Sequence, residues 1–294
     1  MDRVRFGNTD MDVFKIALGG YPFAGVNKAQ GWDPYSPDGR KEAVKTIRTA
    51  LDLGINYIDT AAGYGDGNSE SIIGEAISGR RSECYVATKC SWSGGAADVL
   101  ESVERSLSRL RCDYVDVLQL HGGRFTADDQ NHILNGGPLE GLREARRREL
   151  TRYIGFTVEE PWTGIPLVES GEFDVAQVCY SLIRQSAGQH FLDETKKRNM
   201  AVCAMRPLTS GIFQRELETI MPGWLENGAA HRACLAFILS DSRVHMPNVG
   251  MRWSWEVEAN VRFTREFTPA ADIADTPRLT QHIYETDDRR HGLL

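Results

Sequence analysis

Short apolar runs alternate with amphipathic stretches along the whole 294-residue chain. Eight of the runs have the length and composition of strands: residues 15–19, 56–60, 84–89, 114–121, 153–157, 175–180, 201–205 and 246–250. Between them the period becomes helical; in residues 41–53, Ala43, Ile47, Ala50 and Leu51 share one face. Further helical patterns begin near Ser69, Asp98, Pro138, Pro161, Gln189, Ala229 and Trp255. Eight strand–helix units, one per roughly 30–40 residues, predict an α/β fold, a (β/α)8 TIM barrel. A doubly wound open sheet gives the same alternation. No Gly-x-Gly-x-x-Gly string follows the first strand, however, to mark a dinucleotide-binding sheet of that kind. Ahead of the first strand, two short apolar stretches flank Gly7-Asn8-Thr9-Asp10. This predicts an N-terminal β-hairpin, residues 1–14, at the barrel floor. The polar tail, residues 269–294, is expected to form a short helix or to fray. No linker or repeat interrupts residues 1–294, so a single domain is expected.

Composition narrows the partners. Hydrophobic residues make up 41% of the chain, too many for a disordered one. Thirty-four basic side chains against 41 acidic ones leave a charge of −7, no electrostatic footprint for nucleic acid or anionic lipid. No stretch approaches the roughly 20 apolar residues of a membrane-spanning helix, and the charged first six residues lack the apolar core of a leader. Cys84, Cys90, Cys112, Cys179, Cys203 and Cys234 are scattered without a Cys-x-x-Cys pair, so buried thiols in a reducing cytoplasm are expected. His132, His231 and His245 lack metal-ligand spacing with one another, and no metal is expected.

In a barrel of this kind the chemistry lies where strands run out into the loops that precede helices. The second, third and fourth strands end at Asp59, Lys89 and His121, which are 30 and 32 residues apart, one strand–helix unit each time. Equal spacing brings the three to one rim, and Tyr64, with glycine on either side, can fold back over it. Each has an ordinary reading taken alone: Asp59 as a turn cap, Lys89 as a solvated strand end, His121 as a structural hydrogen-bonder, Tyr64 as loop packing. Together their chemistry is specific. A phenol has a pKa near ~10; an adjacent ammonium favours phenolate, and a carboxylate holds that ammonium in place. A neutral imidazole beside them can orient a carbonyl. The set suits delivery of a proton to an oxygen gaining negative charge.

The strings Tyr57-Ile58-Asp59-Thr60-Ala61-Ala62-Gly63-Tyr64-Gly65, Ala87-Thr88-Lys89 and Leu118-Gln119-Leu120-His121 resemble those of the aldo-keto reductases. The resemblance runs from the N-terminal hairpin and Leu18-Gly19-Gly20 through Asn260. It implies a barrel that passes hydride between the nicotinamide of NADP or NAD and a carbonyl carbon. By position, Tyr64 would be the general acid/base, Lys89 would depress its pKa, Asp59 would pair with Lys89 and His121 would orient the carbonyl.

The same resemblance implies a nucleotide site. Where the family has Gly-Val-Ser-Asn after the fifth strand and Gln on the sixth to hold the carboxamide, this chain has Gly155-Phe156-Thr157-Val158 and Gln177. Thr157 keeps a hydroxyl, whereas Val158 forgoes a bond worth about 1 kcal/mol. Met205 stands where an aromatic often stacks on the ring. Pro207, Leu208, Ser210 and Gly211 belong to a segment resembling the pyrophosphate loop. Gly250, Arg252, Glu256 and Asn260 match the adenosine-binding string. Arg252 suits the 2′-phosphate of NADP and Glu256 opposes it, so NADP is expected with NAD as the alternative. Trp32, Tyr35 and Trp92, on the loops after strands one and three, are expected to ring the pocket mouth, and the polar stretch 122–137 to shape it. The expected substrate is a small aldehyde, ketone or sugar. The alternatives are a nucleotide-binding regulatory subunit with little turnover, and an internal-redox isomerase or lyase.

Overall fold

The computed structural model describes residues 2–26, 31–223 and 228–275. β1 (Arg3–Arg5) and β2 (Asp12–Phe14) pair antiparallel as the expected hairpin. The barrel strands are β3 (Ala17–Gly19), β4 (Tyr57–Asp59), β5 (Tyr85–Cys90), β6 (Val115–Leu120), β7 (Thr151–Val158), β8 (Val175–Cys179), β9 (Ala201–Met205) and β10 (Met246–Gly250). They run parallel in sequence order, and β10 returns to β3 to close the ring. All eight coincide with the runs picked out by apolar pattern. The pairing sets Gly19 beside Asp59 and Asp59 beside Ala87, then Lys89 beside Gln119, and Thr157 beside Gln177. The functional side chains thus gather at the ends of β4, β5 and β6.

Helices cover the outside: α1 (Pro37–Asp52), α2 (Asn68–Ala76), α3 (Ala96–Leu110), α4 (Ala127–Leu134), α5 (Pro138–Arg147), α6 (Pro161–Glu169), α7 (Phe191–Lys197), α8 (Ile212–Ile220), α9 (Ala229–Leu239) and α10 (Ser254–Glu266). α1 begins four residues before its apolar pattern, because Ser36 Oγ accepts from the Gly39 N–H and Pro37 occupies the first turn. Two helices had no expectation. In α4, within the stretch expected to be a loop, the buried residues reduce to Ile133, and a Thr126–Asp129 capping box supplies the start. α8 carries Phe213, Leu217 and Ile220 at helical spacing, a stripe the sequence reading did not pick out, and its end residues Ile212 and Ile220 are exposed.

The core has two layers. Between strands and helices, Ile58, Val86, Leu118, Ile154 and Val178 pack with Ile47, Ile72, Val103 and Leu142. Inside the barrel, Ala17, Tyr57, Ala87, Val117, Val175, Ala201 and Met246 meet Phe6, Met11 and Val13 of the hairpin. The hairpin is therefore a plug. Its turn is fastened to the floor by Asn8 N–H on Asn199 O at 2.8 Å and by Arg152 on Asp10. Gly7, at φ +55°, lies so close to Ala201 that a Cβ would stand 2.4 Å from its nitrogen. Only glycine fits there.

At the other end of the chain, a short 3-10 turn at Ile273–Asp275 is tied to Ser240 O; the rest of the predicted 269–294 tail lies outside the described residues. The six thiols are free, and five are buried. Among the described residues no helix is long and apolar enough to cross a membrane.

Candidate active site

Lys89 and Asp59 face each other from neighbouring strands, Nζ to Oδ2 at 2.7 Å, each side chain only 2% exposed. Nζ also donates to Thr60 O at 2.6 Å. An ammonium has three protons; the third side of Nζ lies over the Tyr64 ring, 4.9 Å from its centre. Burial works against the charge of Lys89, but Asp59 and Tyr64 outweigh it and raise the pKa above the usual lysine value.

Tyr64 is positioned by a loop made rigid from several sides. Its N–H bonds Ala61 O at 3.0 Å, and its carbonyl accepts from the Ser69 N–H at 3.2 Å. The Tyr35 hydroxyl reaches Gly65 O at 3.3 Å. Gly67, at φ +84°, starts α2 against the Arg109 side chain, which a Cβ would strike at 2.4 Å. The first turn of α2 ties down the neighbours: Ser69 Oγ bonds Thr60 Oγ1 and Gly20 O. The fully buried Glu70 accepts from Thr88 Oγ1 and Arg109 Nε, both at 2.6 Å.

His121 stands edge-on to Tyr64, ring centres 5.6 Å apart, and is exposed at the rim. Loss of surrounding water and then the Lys89 ammonium push its pKa down to about 4, so the ring is neutral at pH 7. At Tyr64 the pull expected of Lys89 is present but outweighed. Lys89 does pull the phenol downward, but burial dominates, Asp59 and Tyr21 add to it, and the pKa is raised above 10. The phenol holds its proton.

The residues expected to bind a nucleotide divide into free and engaged groups. Gln177 Nε2 is drawn to Asp59 Oδ2 at 3.3 Å, and its Oε1 is buried without a partner. The Thr157 hydroxyl donates to Gly122 O at 2.8 Å and accepts from Gly122 N–H at 3.0 Å, so it is already engaged. Met205 is half-buried at the end of β9, followed by buried Pro207, half-buried Leu208 and exposed Ser210. Thr209 and Ser210 both have positive φ, uncommon for residues with a Cβ, and Gly211 follows at φ +77°. Near Gly250, at the end of β10, Arg252 Nε and Ser254 Oγ are buried without partners. The Glu256 carboxylate accepts from the N–H groups of Arg252 and Trp253 and so caps α10. Asn260 is half-buried on that helix.

Trp32 is a correction. It does not ring the pocket mouth: it is 1% exposed, donates its indole N–H to Pro22 O and packs edge-on to Trp253 at 5.0 Å. A large ring whose one polar atom finds a carbonyl is more stable in the core than at a wet rim. Trp92 is half-buried against Phe125 beyond β5, and Tyr35 remains exposed.

Several site residues escaped sequence reasoning. Tyr21 is 55% exposed and edge-on to Tyr64 at 5.1 Å; its place just after the first strand was the available signal. Glu159 and Arg206 pair beyond the ends of β7 and β9. Asn248 on β10 and Gln119 on β6 both reach Asp59.

The chain is similar to several known proteins. The chain is 30% identical over 228 residues to L-galactose dehydrogenase of Arabidopsis thaliana, covering 71% of this chain and 66% of that protein. It is 27% identical over 240 residues to the oxidoreductase YqkF of Bacillus subtilis, covering 78% and 72%. The structure of an aldo/keto reductase from Klebsiella pneumoniae in complex with NADP and acetate has the same fold, with a TM-score of 0.74 at 23% identity over 95% of each chain. A family model matches residues 15–223, most of the barrel, and on that match the chain belongs to the aldo/keto reductase family.

Proposed function

We propose that this chain is an NADP-dependent carbonyl reductase acting on a small aldehyde, ketone or sugar. The observation that carries the reading is the convergence of Asp59, Lys89, Tyr64 and His121 on one strand-end rim. Neutral His121 donates a ring N–H to the carbonyl oxygen and fixes its direction. The nicotinamide nucleotide, when bound, supplies the hydride. Tyr64 gives its proton to the oxygen as charge develops there, and Lys89 holds the resulting tyrosinate. Tyr64 carries its proton at neutral pH and so can act as the acid of this step.

The residues present fit a nicotinamide nucleotide. Gln177 directs its N–H2 to Asp59, and its unpartnered Oε1 can accept from the N–H2 of a carboxamide. Unpartnered donors at Arg252 and Ser254 suit phosphate oxygens at the other end. Thr157 makes no such contribution while its hydroxyl is held by Gly122. The Klebsiella neighbour holds NADP, which agrees with Arg252; Glu256 already fills the helix N-terminus that would help hold a 2′-phosphate.

Two measurements test the reading. Fluorescence titration is expected to give tighter binding of NADPH than of NADH, and equal or reversed affinities overturn the NADP assignment. Across a panel of carbonyl substrates, Tyr64→Phe is expected to lose about 10²–10⁴-fold in kcat while still binding NADPH. Undiminished turnover removes Tyr64 from the reaction.

A further inference from the structure

The Asp59 carboxylate collects donors from around the barrel. Lys89 Nζ and Asn248 Nδ2 both reach Oδ2 at 2.7 Å. Gln177 reaches the same oxygen at 3.3 Å, and Gln119 reaches Oδ1 at 3.3 Å. Asn248 does so across β3, which lies between β10 and β4. Each amide turns its N–H2 inward and leaves its oxygen buried with no partner. All three amides therefore turn a donor, and none an acceptor, toward Asp59. The array contains four donors and one acceptor group.

We infer that Asn248 is a positioning residue for proton delivery by Tyr64: its N–H2 takes up part of the charge on Asp59 Oδ2, so that Lys89 stays shared between Asp59 and the phenol. The inference rests on the reductase reading, in which Tyr64 is the acid. The groups facing Tyr64 are Lys89, Asp59, His121 and Tyr21. Tyr57 and Cys203 also lie within reach of Asp59, and burial holds both neutral. Among these groups the balance at the phenol is thus set by one anion and one cation. Removing the Asn248 donor strengthens the hold of Asp59 on Lys89 and leaves more of its negative charge felt at Tyr64. Both effects raise the phenol pKa.

The test is a tyrosinate absorbance titration of the nucleotide-free protein, with the difference from Tyr64→Phe isolating Tyr64. In Asn248→Leu the midpoint is expected to rise by about half a pH unit or more, and the alkaline limb of kcat/KM for reduction to move with it. Gln119→Leu removes a longer bond on the other oxygen; a smaller rise is expected, and it serves if Asn248→Leu does not fold. A midpoint unchanged or lowered in a folded variant overturns the inference, since a merely structural role would lower kcat without moving the titration. Failure of the reductase reading is seen separately, as full turnover in Tyr64→Phe, because the titration needs neither nucleotide nor turnover.

Discussion

At the scale of single residues, the site is a contest between burial and charge. Burial wins at Tyr64, where the phenol stays protonated; the Asp59 carboxylate wins at Lys89, where the ammonium stays charged. At His121 loss of surrounding water and the neighbouring ammonium act together, and the imidazole stays neutral down to about pH 4. The kcat/KM profile for carbonyl reduction is therefore expected to show no inflection near 6.5, the value of a free histidine, and to fall only towards pH 4. A profile measured from pH 4 to 8 with an inflection near 6.5 would mean that a histidine of ordinary pKa governs the reaction. Glu256 poses a separate question of charge. Glu256→Gln keeps a capping side chain for α10 but removes the carboxylate from the Arg252 N–H. It is expected to improve NADPH affinity several-fold relative to NADH, read by paired titrations. The four reactive residues were legible because each sits in a short string at a strand end. Asn248 was not, since its partner Asp59 is 189 residues away and only barrel closure joins them.

At the scale of elements, α2 is what turns a glycine-rich loop into a fixed support for Tyr64. Its first turn is bonded to residues adjoining Asp59 and Lys89, through Ser69 to Thr60 and through Glu70 to Thr88. Arg109 on α3 completes this by neutralising Glu70, which is fully buried. Arg109→Met is expected to destabilise the fold by about 3–5 kcal/mol, because it leaves a buried carboxylate unpaired. Adding Glu70→Gln should recover much of that loss, since the amide still accepts from Thr88 without a charge to compensate. Denaturant melts of the two single variants and the double variant measure it; a double variant as unstable as the sum of the singles would exclude the pairing. The apolar periodicity announced α2 but not its task, which depends on polar side chains meeting across three elements. The same limit explains α4 and Trp32. A helix with one well-buried residue has no stripe to find, and an aromatic ring in a loop looks the same in sequence whether it packs or lines a pocket.

At the scale of the whole molecule, the barrel is closed from below by the hairpin plug, and His245 is one of its fastenings. Both ring nitrogens of His245 face backbone N–H groups, Nε2 that of Gly7 at 3.0 Å and Nδ1 that of Val202 at 3.1 Å. A neutral imidazole accepts at one nitrogen and carries a hydrogen on the other, so at most one of these contacts is a full hydrogen bond. Protonation sets N–H against N–H on both sides. Burial already pushes the His245 pKa down to about 4, while the unfolded chain takes up the proton near 6.5. Between those values the unfolded state binds a proton that the folded state excludes, so stability falls as the pH drops through the window. The full effect is of order 3 kcal/mol. His245→Gln offers an acceptor that cannot be protonated there. Thermal melts at pH 7 and pH 4.5 are expected to show a Tm loss of several degrees in the wild-type chain and a clearly smaller loss in the glutamine variant. Equal losses would assign the acid sensitivity to other groups and leave the plug independent of pH.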